Sequence, residues 1–276
     1  MKFTKMHGCG NDYIYVNGFT EKVNAPEELA RKISDRHFGI GSDGLILILP
    51  TQNGDAFMQL YNADGSKGTM CGNGIRCVAK YVYDHGLIPA TRNYALIDTP
   101  AGVKKIALEV VNGKVKSATV DMGIAKLAGE LPEKINVNNR SLQFIGVDVG
   151  NDHAVYFLDD NPELEGIMTW PDSKFASEGV FFETHKRFVN RVNSEFIKII
   201  SRDEINMRVY ERGSGETLAC GTGATASAFA GVIAGKLNRD VLVHLRGGDL
   251  RIKVNDDNRC FMTGPAVEIF SGEYNS

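Results

Sequence analysis

The chain is short of cysteine, of net charge and of long apolar runs, and each shortage removes a class of protein. Its five cysteines (Cys9, Cys71, Cys77, Cys220 and Cys260) are odd in number and follow no framework spacing. That argues against a disulfide-built secreted fold and favours a reducing, cytoplasmic setting. Neither a CxxC pair nor an HExxH run occurs, and the histidines at 7, 37, 85, 153, 185 and 244 are scattered, so no metal site is expected. Acidic and basic residues are mixed and leave a net charge of −3, which excludes a dominant basic patch for nucleic acid or for an anionic membrane. The longest apolar runs, such as GLILILP at 44–50, are strand-sized and far below a membrane span. The opening MKFTKMHGCGND has no sustained apolar region and no cleavage pattern, so no signal peptide is expected.

What is present is abundant β pattern. Period-two apolar segments recur, including YIYVNG, LILILP, KIALEVVNGKVKSATVDMG, INMRVYE and DVLVHLRGGDLRIKVND. Asn112–Gly113 predicts a type I′ hairpin, and the segments 246–250 and 255–258 read as further turns. Helical periodicity is confined to three stretches, at about 26–37, 73–85 and 222–234. The 276 residues suffice for two modest domains, and the mixture indicates an α+β fold, mostly antiparallel, without a βαβ rhythm.

Two segments are alike. YNADGSKGTMCGNGIRCVAKYVYDHGL at 61–87 and YERGSGETLACGTGATASAFAGVIAGK at 210–236 both run from tyrosine through a Gly/Ser-rich loop to cysteine, Gly-x-Gly and an apolar helix. Tyr61 stands ten residues before Cys71 and Tyr210 ten before Cys220; Gly86 and Gly235 stand fifteen after, where a left-handed C-terminal cap is expected. The repeated offsets indicate an internal duplication: a first half at 1–117, a second at 118–262, and the segment 263–276 returning to the first.

A cysteine at a helix N-terminus faces unpaired N–H groups that favour a thiolate. The flanking glycines let a small anion approach those groups closely. One such motif is ordinarily a tight turn around a buried thiol. Two of them, across a cleft between the halves, suit a different task. Inverting a stereocentre needs one base to remove a proton and an acid on the opposite face to return one. Two sulfurs meet that need, while the helix mouths hold the carboxylate on which charge accumulates, so no cofactor is obligatory. Cys9, Cys77 and Cys260 are assigned to packing, and a Cys71–Cys220 disulfide would mean oxidative inactivation.

HGCGNDY (7–13), GSDGL (41–45), YNADGSKGTMCGNGIRC (61–77), GNDH (150–153), YERGSGETLACGTGA (210–224) and TGPA (263–266) together resemble the diaminopimelate epimerase family, over nearly the whole chain. The resemblance implies two pseudo-symmetric halves, each a curved sheet around a central helix. It implies cofactor-independent interconversion of LL- and meso-diaminopimelate for lysine and peptidoglycan precursors, with Cys71 and Cys220 as the acid/base pair. It implies carboxylate contacts from Gly72, Asn73, Gly221 and Thr222, further substrate contacts from Asn11, Asn62, Asn151 and Asn193, and a zwitterion-reading pair in Glu211 and Arg212. His153 matches a histidine important to catalysis, and Phe270 a position associated with a homodimer. Two residues depart from the family pattern: Asp152 and Val189 stand where proline is common. From the residues themselves, Glu211 and Arg212 also read as a surface ion pair, His153 as a core histidine and Asn11 as an Asx turn. A proline or hydroxyproline racemase and a non-catalytic amino-acid-binding protein remain the alternatives.

Overall fold

The type I′ hairpin expected at Asn112–Gly113 forms: both residues have positive φ, 52° and 72°, and Val111 pairs with Lys114 across it. This is one turn in a computed structural model that describes residues 1–275; Ser276 lies outside the described residues. The chain divides into two compact units, Met1–Asp121 with Thr263–Ser276, and Met122–Met262. The division falls a few residues beyond 117, inside a strand.

The first unit contains β1 (Lys2–Gly8), β2 (Asn11–Asn17), α1 (Pro26–Ser34), β3 (Gly44–Leu49), β4 (Ala56–Asn62), β5 (Lys67–Gly68), α2 (Gly72–Asp84), β6 (Tyr94–Asp98), β7 (Lys104–Val111) and β8 (Lys114–Ile124) up to Asp121. β2 pairs parallel with β3, β3 antiparallel with β4, β4 parallel with β6 and β6 antiparallel with β7. α2 packs on β1, β2, β4, β6 and β7. Ile75, Val78 and Val82 on this helix are fully buried, which is worth about 1.5–3 kcal/mol each. They recur at the three- and four-residue spacing that puts side chains on one helical face.

The second unit contains β9 (Lys126–Leu127), β10 (Glu133–Val137), β11 (Arg140–Asp148), β12 (Asp152–Phe157), α3 (Asp172–Glu183), β13 (Asn193–Ser201), β14 (Glu204–Glu211), β15 (Gly215–Glu216), α4 (Gly221–Ile233), β16 (Asp240–Leu245), β17 (Gly248–Val254) and the start of β18 (Arg259–Pro265), whose last residues, from Thr263, belong to the first unit. Its pairings repeat those of the first: β12 with β13 parallel, β13 with β14 antiparallel, β14 with β16 parallel, β16 with β17 antiparallel. The two tyrosines are equivalent in register, Tyr61 facing Lys67 and Tyr210 facing Glu216. The duplication is therefore structural as well as textual. A last strand, β19 (Val267–Glu273), pairs antiparallel with β1 in the first unit.

Both motif helices end in the same way. Gly86 and Gly235 have φ of 72° and 70°. The next residues, Leu87 and Lys236, donate to Val82 and Gly231, while the glycines donate to Tyr83 and Val232. This Schellman arrangement satisfies carbonyls that the helix end leaves open.

One helix is missing from the periodicity reading. α3 buries Phe175 and Phe182 against Tyr156, Phe196 and Phe144, but Val180 and Phe181 beside them are half-exposed and blur the pattern. Gly179 in its middle is needed because a Cβ there would lie 2.1 Å from the Tyr210 ring. Among the described residues no helix is long and apolar enough to cross a membrane, and none of the five cysteines forms a disulfide, with Cys9, Cys77 and Cys260 buried.

Candidate active site

Each motif cysteine is the N-cap of its helix. Cys71 has φ −136° and ψ 117°, and Cys220 has φ −121° and ψ 108°. These extended conformations turn the sulfur back over the first turn. Cys71 Sγ accepts from Gly74 N at 3.3 Å, and Cys220 Sγ accepts from Gly223 N at 3.3 Å. Gly72 and Asn73, and likewise Gly221 and Thr222, supply first-turn N–H groups that helix geometry leaves without a helical carbonyl.

Around Cys71 the neighbours are neutral or cationic. The Cys71 thiol donates to Asn11 Oδ1 at 3.3 Å. Asn11 Nδ2 in turn donates to Asp43 Oδ2 at 2.7 Å, and Arg36 bridges Asp43 and Asp12. Tyr13 lies in hydrogen-bonding reach of Asn11 and Cys71. Arg76, one turn along α2, is fully buried and donates to the carbonyls of Gly72 and Pro265. Asn73 is buried, with an Oδ1 that lacks a partner among the described residues. Asn62 closes its own turn by donating to Ser66 Oγ at 2.9 Å. Phe270 is half-exposed on β19, its ring edge-on to Phe3.

Around Cys220 the neighbours are acidic. Glu211, largely buried at the end of β14, accepts from the Thr217 hydroxyl and is hydrogen-bonded to Cys220. His153 Nδ1 lies 2.7 Å from Glu195 Oε1, and its Nε2 lies 3.1 Å from Asn151 Oδ1. Thr222 Oγ1 is 3.5 Å from the Cys220 sulfur. Asn193 spends its amide on backbone: Nδ2 donates to Asp152 O and Oδ1 accepts from Arg212 N, each at 3.0 Å. Arg212 itself is exposed and donates to Asn190 O. No ion pair joins it to Glu211 among the described residues. Asp152 and Val189, which replace common prolines, are both exposed.

The thiols do not behave as the helix mouths alone would dictate. Burial raises Cys71 above its ordinary pKa, against the Gly74 and Asn73 N–H groups, Tyr13 and the Arg76 charge. Burial also raises Cys220, and there the carboxylates of Glu211 and Glu195 push further in the same direction. Desolvation outweighs the partial charge of a helix N-terminus. A sulfur so placed gives up its proton later, but once ionised it is a stronger base.

Several neighbours were not singled out from the sequence: Tyr13, Asp43, Arg76, Glu195 and Thr217. Tyr13, Asp43 and Arg76 lie within the conspicuous HGCGNDY, GSDGL and CGNGIRC segments, which was the available signal. Glu195 carried none.

The duplicated α+β scaffold is found among solved structures. A probable proline racemase from Agrobacterium radiobacter superposes with a TM-score of 0.71 at 15% identity, over 99% of this chain and 92% of that one. A hydroxyproline epimerase from Agrobacterium vitis gives a TM-score of 0.71 at 15% identity, over 99% and 91%. A PhzF-family phenazine biosynthesis protein from Bacillus anthracis gives 0.69 at 14%, over 100% and 99%. At such identities the likeness is one of fold. Sequence is more specific: the family model for diaminopimelate epimerase matches residues 3–128 and 145–269. Proteins named diaminopimelate epimerase from Agathobacter rectalis and Desulfovibrio desulfuricans are 49% and 47% identical, over 99% of this chain and 99% and 98% of theirs. The chain belongs to the diaminopimelate epimerase family.

Proposed function

We propose that the protein epimerises LL-diaminopimelate to meso-diaminopimelate in the cytoplasm, without a cofactor, by proton transfer between Cys71 and Cys220. The observation that carries this reading is the pair of N-cap cysteines, each with its sulfur held by the third N–H of a motif helix. A protein that only bound an amino acid would use the helix mouths without needing either sulfur.

One cysteine, as thiolate, takes the α-proton and becomes a thiol; the electron pair stays on the substrate as a carbanion. The other, as thiol, gives its proton to the opposite face of that carbon and becomes the thiolate. Atoms and charge balance, and the reverse reaction exchanges the roles. The α-carboxylate, which shares the carbanion's charge, accepts from Gly72, Asn73, Gly221 and Thr222 N–H groups. A single well-aimed donor of this kind contributes about 2.7–4 kcal/mol. Asn11, Asn62, Asn151 and Asn193 frame the substrate, with Arg212 for its distal carboxylate and Glu211 for its ammonium. His153 and Glu211 govern the charge beside Cys220. Thiols raised by desolvation suit the task, because removing a weakly acidic carbon proton needs a strong base.

The test is a stereochemical assay in D2O: LL-diaminopimelate, no cofactor, reduced protein. Formation of the meso isomer with deuterium at Cα is expected, and Cys71→Ala and Cys220→Ala should each abolish it. Binding without isomerisation, or turnover of proline in preference, would overturn the assignment. A homodimer belongs to the same reading. β19 exposes Val267, Ile269 and Phe270 (39%, 48% and 47%), and Phe270→Ala should shift sedimentation towards the monomer if this strand is the interface.

A further inference from the structure

The loop that leads into α4 is held on both sides of one residue, Thr217. β14 turns back into β15, with Glu211 opposite Gly215 and Tyr210 opposite Glu216. The Glu216 carboxylate accepts from Arg208 Nε at 2.6 Å and Nη2 at 2.9 Å, and Arg246 Nη1 lies 2.8 Å from it. Arg208 is itself fixed. Its side chain is 5% exposed, its Nη1 donates to the carbonyls of Ile167 and Trp170, and its Cζ lies 4.0 Å from the centre of the Phe175 ring. A two-pronged guanidinium–carboxylate pairing sets direction as well as distance. On the other side of Thr217, the Leu218 carbonyl accepts from Gly247 N at 2.8 Å. Thr217 is thus anchored through both neighbours. Its hydroxyl donates to Glu211 Oε1, on the carboxylate that is hydrogen-bonded to Cys220.

We infer that Thr217 is a positioning residue: its hydroxyl fixes the Glu211 carboxylate at the mouth of α4, where that carboxylate meets the Cys220 thiol. The inference rests on the epimerase reading and deepens it. A glutamate stem has several rotamers, and only some bring its carboxylate to the sulfur. One anchored hydroxyl removes that freedom before substrate arrives. The first motif is built differently. Counted from its tyrosine and its cysteine, Asn62 stands where Glu211 does and Gly68 where Thr217 does. Asn62 donates to Ser66 Oγ instead. A Cβ on Gly68 would lie 2.5 Å from Leu60 Cδ2, so any side chain there would have to displace Leu60. The hydroxyl–carboxylate pair is therefore an addition of the second motif, whose thiol it supplies with an anchored partner; the Cys71 thiol has Asn11.

Substitutions at Thr217 separate its hydroxyl from its methyl. Thr217→Val keeps the shape and loses the hydroxyl; Thr217→Ser keeps the hydroxyl and loses the methyl. If the side chain only packed, valine would be harmless and serine harmful. A positioning hydroxyl gives the reverse order. Thr217→Val should lower kcat for diaminopimelate about 10- to 100-fold, as for a reacting group displaced by up to about 1 Å, and Thr217→Ser should recover most of that loss. Thr217→Ala, which differs from the serine variant by the hydroxyl alone, keeps the comparison readable should the valine variant not fold. Equal kcat in the serine variant and in either variant without the hydroxyl would overturn the inference. Crystal structures of the wild type and of Thr217→Val, or of Thr217→Ala in its place, give a readout independent of turnover. The Glu211 carboxylate should stand against Cys220 in the first and be turned away from it in the second; an unmoved carboxylate would count against the inference as firmly as the kinetics. If the wild type does not epimerise diaminopimelate, yet the carboxylate moves when the hydroxyl is removed, the functional reading fails while the positioning of Glu211 by Thr217 stands.

Discussion

Gly223→Ala separates catalytic geometry from stability at a single methyl group. The new Cβ would lie 2.7 Å from Glu195 Oε1, 3.2 Å from Glu195 Cγ and 3.2 Å from Cys220 Sγ. The carboxylate oxygen must retreat by several tenths of an ångström to restore ordinary contact. It cannot do so without disturbing the His153 ring that it holds at 2.7 Å. Misplacing a reacting group by about 1 Å can cost about 100-fold in rate, so a loss of about 10- to 100-fold in kcat is expected. The stability balance is different. Crowding costs about 1–3 kcal/mol, but alanine gains about 1 kcal/mol over glycine in a helix, for a net loss of no more than about 2 kcal/mol. Gly231→Ala, eight residues further along α4, is the control. Its Cβ would lie 2.3 Å from the Leu237 side chain, far from either sulfur's partners, and it should lower stability with kcat unchanged. The assay is steady-state epimerisation alongside urea denaturation for both variants. Wild-type kcat in Gly223→Ala, or equal kcat losses in the two variants, would refute the reasoning.

Three other outcomes follow from the electrostatics. Because both cysteines are raised and one must be ionised, kcat/KM should climb from neutral into alkaline pH before falling once both ionise; a profile flat from pH 6 to 9 would contradict this. Glu211 is also raised by burial, so its contribution to stability is present below the ordinary carboxylate pKa and lost as pH rises through the folded value. Glu211→Gln should therefore raise the thermal midpoint at pH 7 but not at pH 4, by about 2–4 °C per kcal/mol recovered, while lowering activity. Asp12 is the opposite case: burial would raise it, yet Arg36 and Lys5 hold it below its ordinary value, so its contribution is present above about pH 4 and lost as pH falls below. Asp12→Asn removes the carboxylate from the largely buried Lys5, which keeps only the Gly41 carbonyl, and should cost about 3 kcal/mol at pH 7, with the difference from wild type shrinking in acid; an unchanged urea midpoint would count against it.

The features that were legible in the sequence are those encoded by neighbours along the chain. The paired Cys-Gly-x-Gly helix mouths, the Asn112–Gly113 turn and the glycines that end α2 and α4 depend on local backbone preferences, and the repeat made them conspicuous. α3 escaped because Val180 and Phe181 interrupt its apolar face, and its burial is decided by the aromatic cluster it meets. The company each sulfur keeps is a tertiary matter. Asp43 reaches Asn11 from 32 positions away, and Glu195 reaches His153 from 42, through strand pairings that no local pattern announces. Sequence alone determined that two thiols sit at two helix mouths. Only the folded register decided that one lies near a buried guanidinium and the other beside carboxylates, because burial and charge act through space and not along the chain.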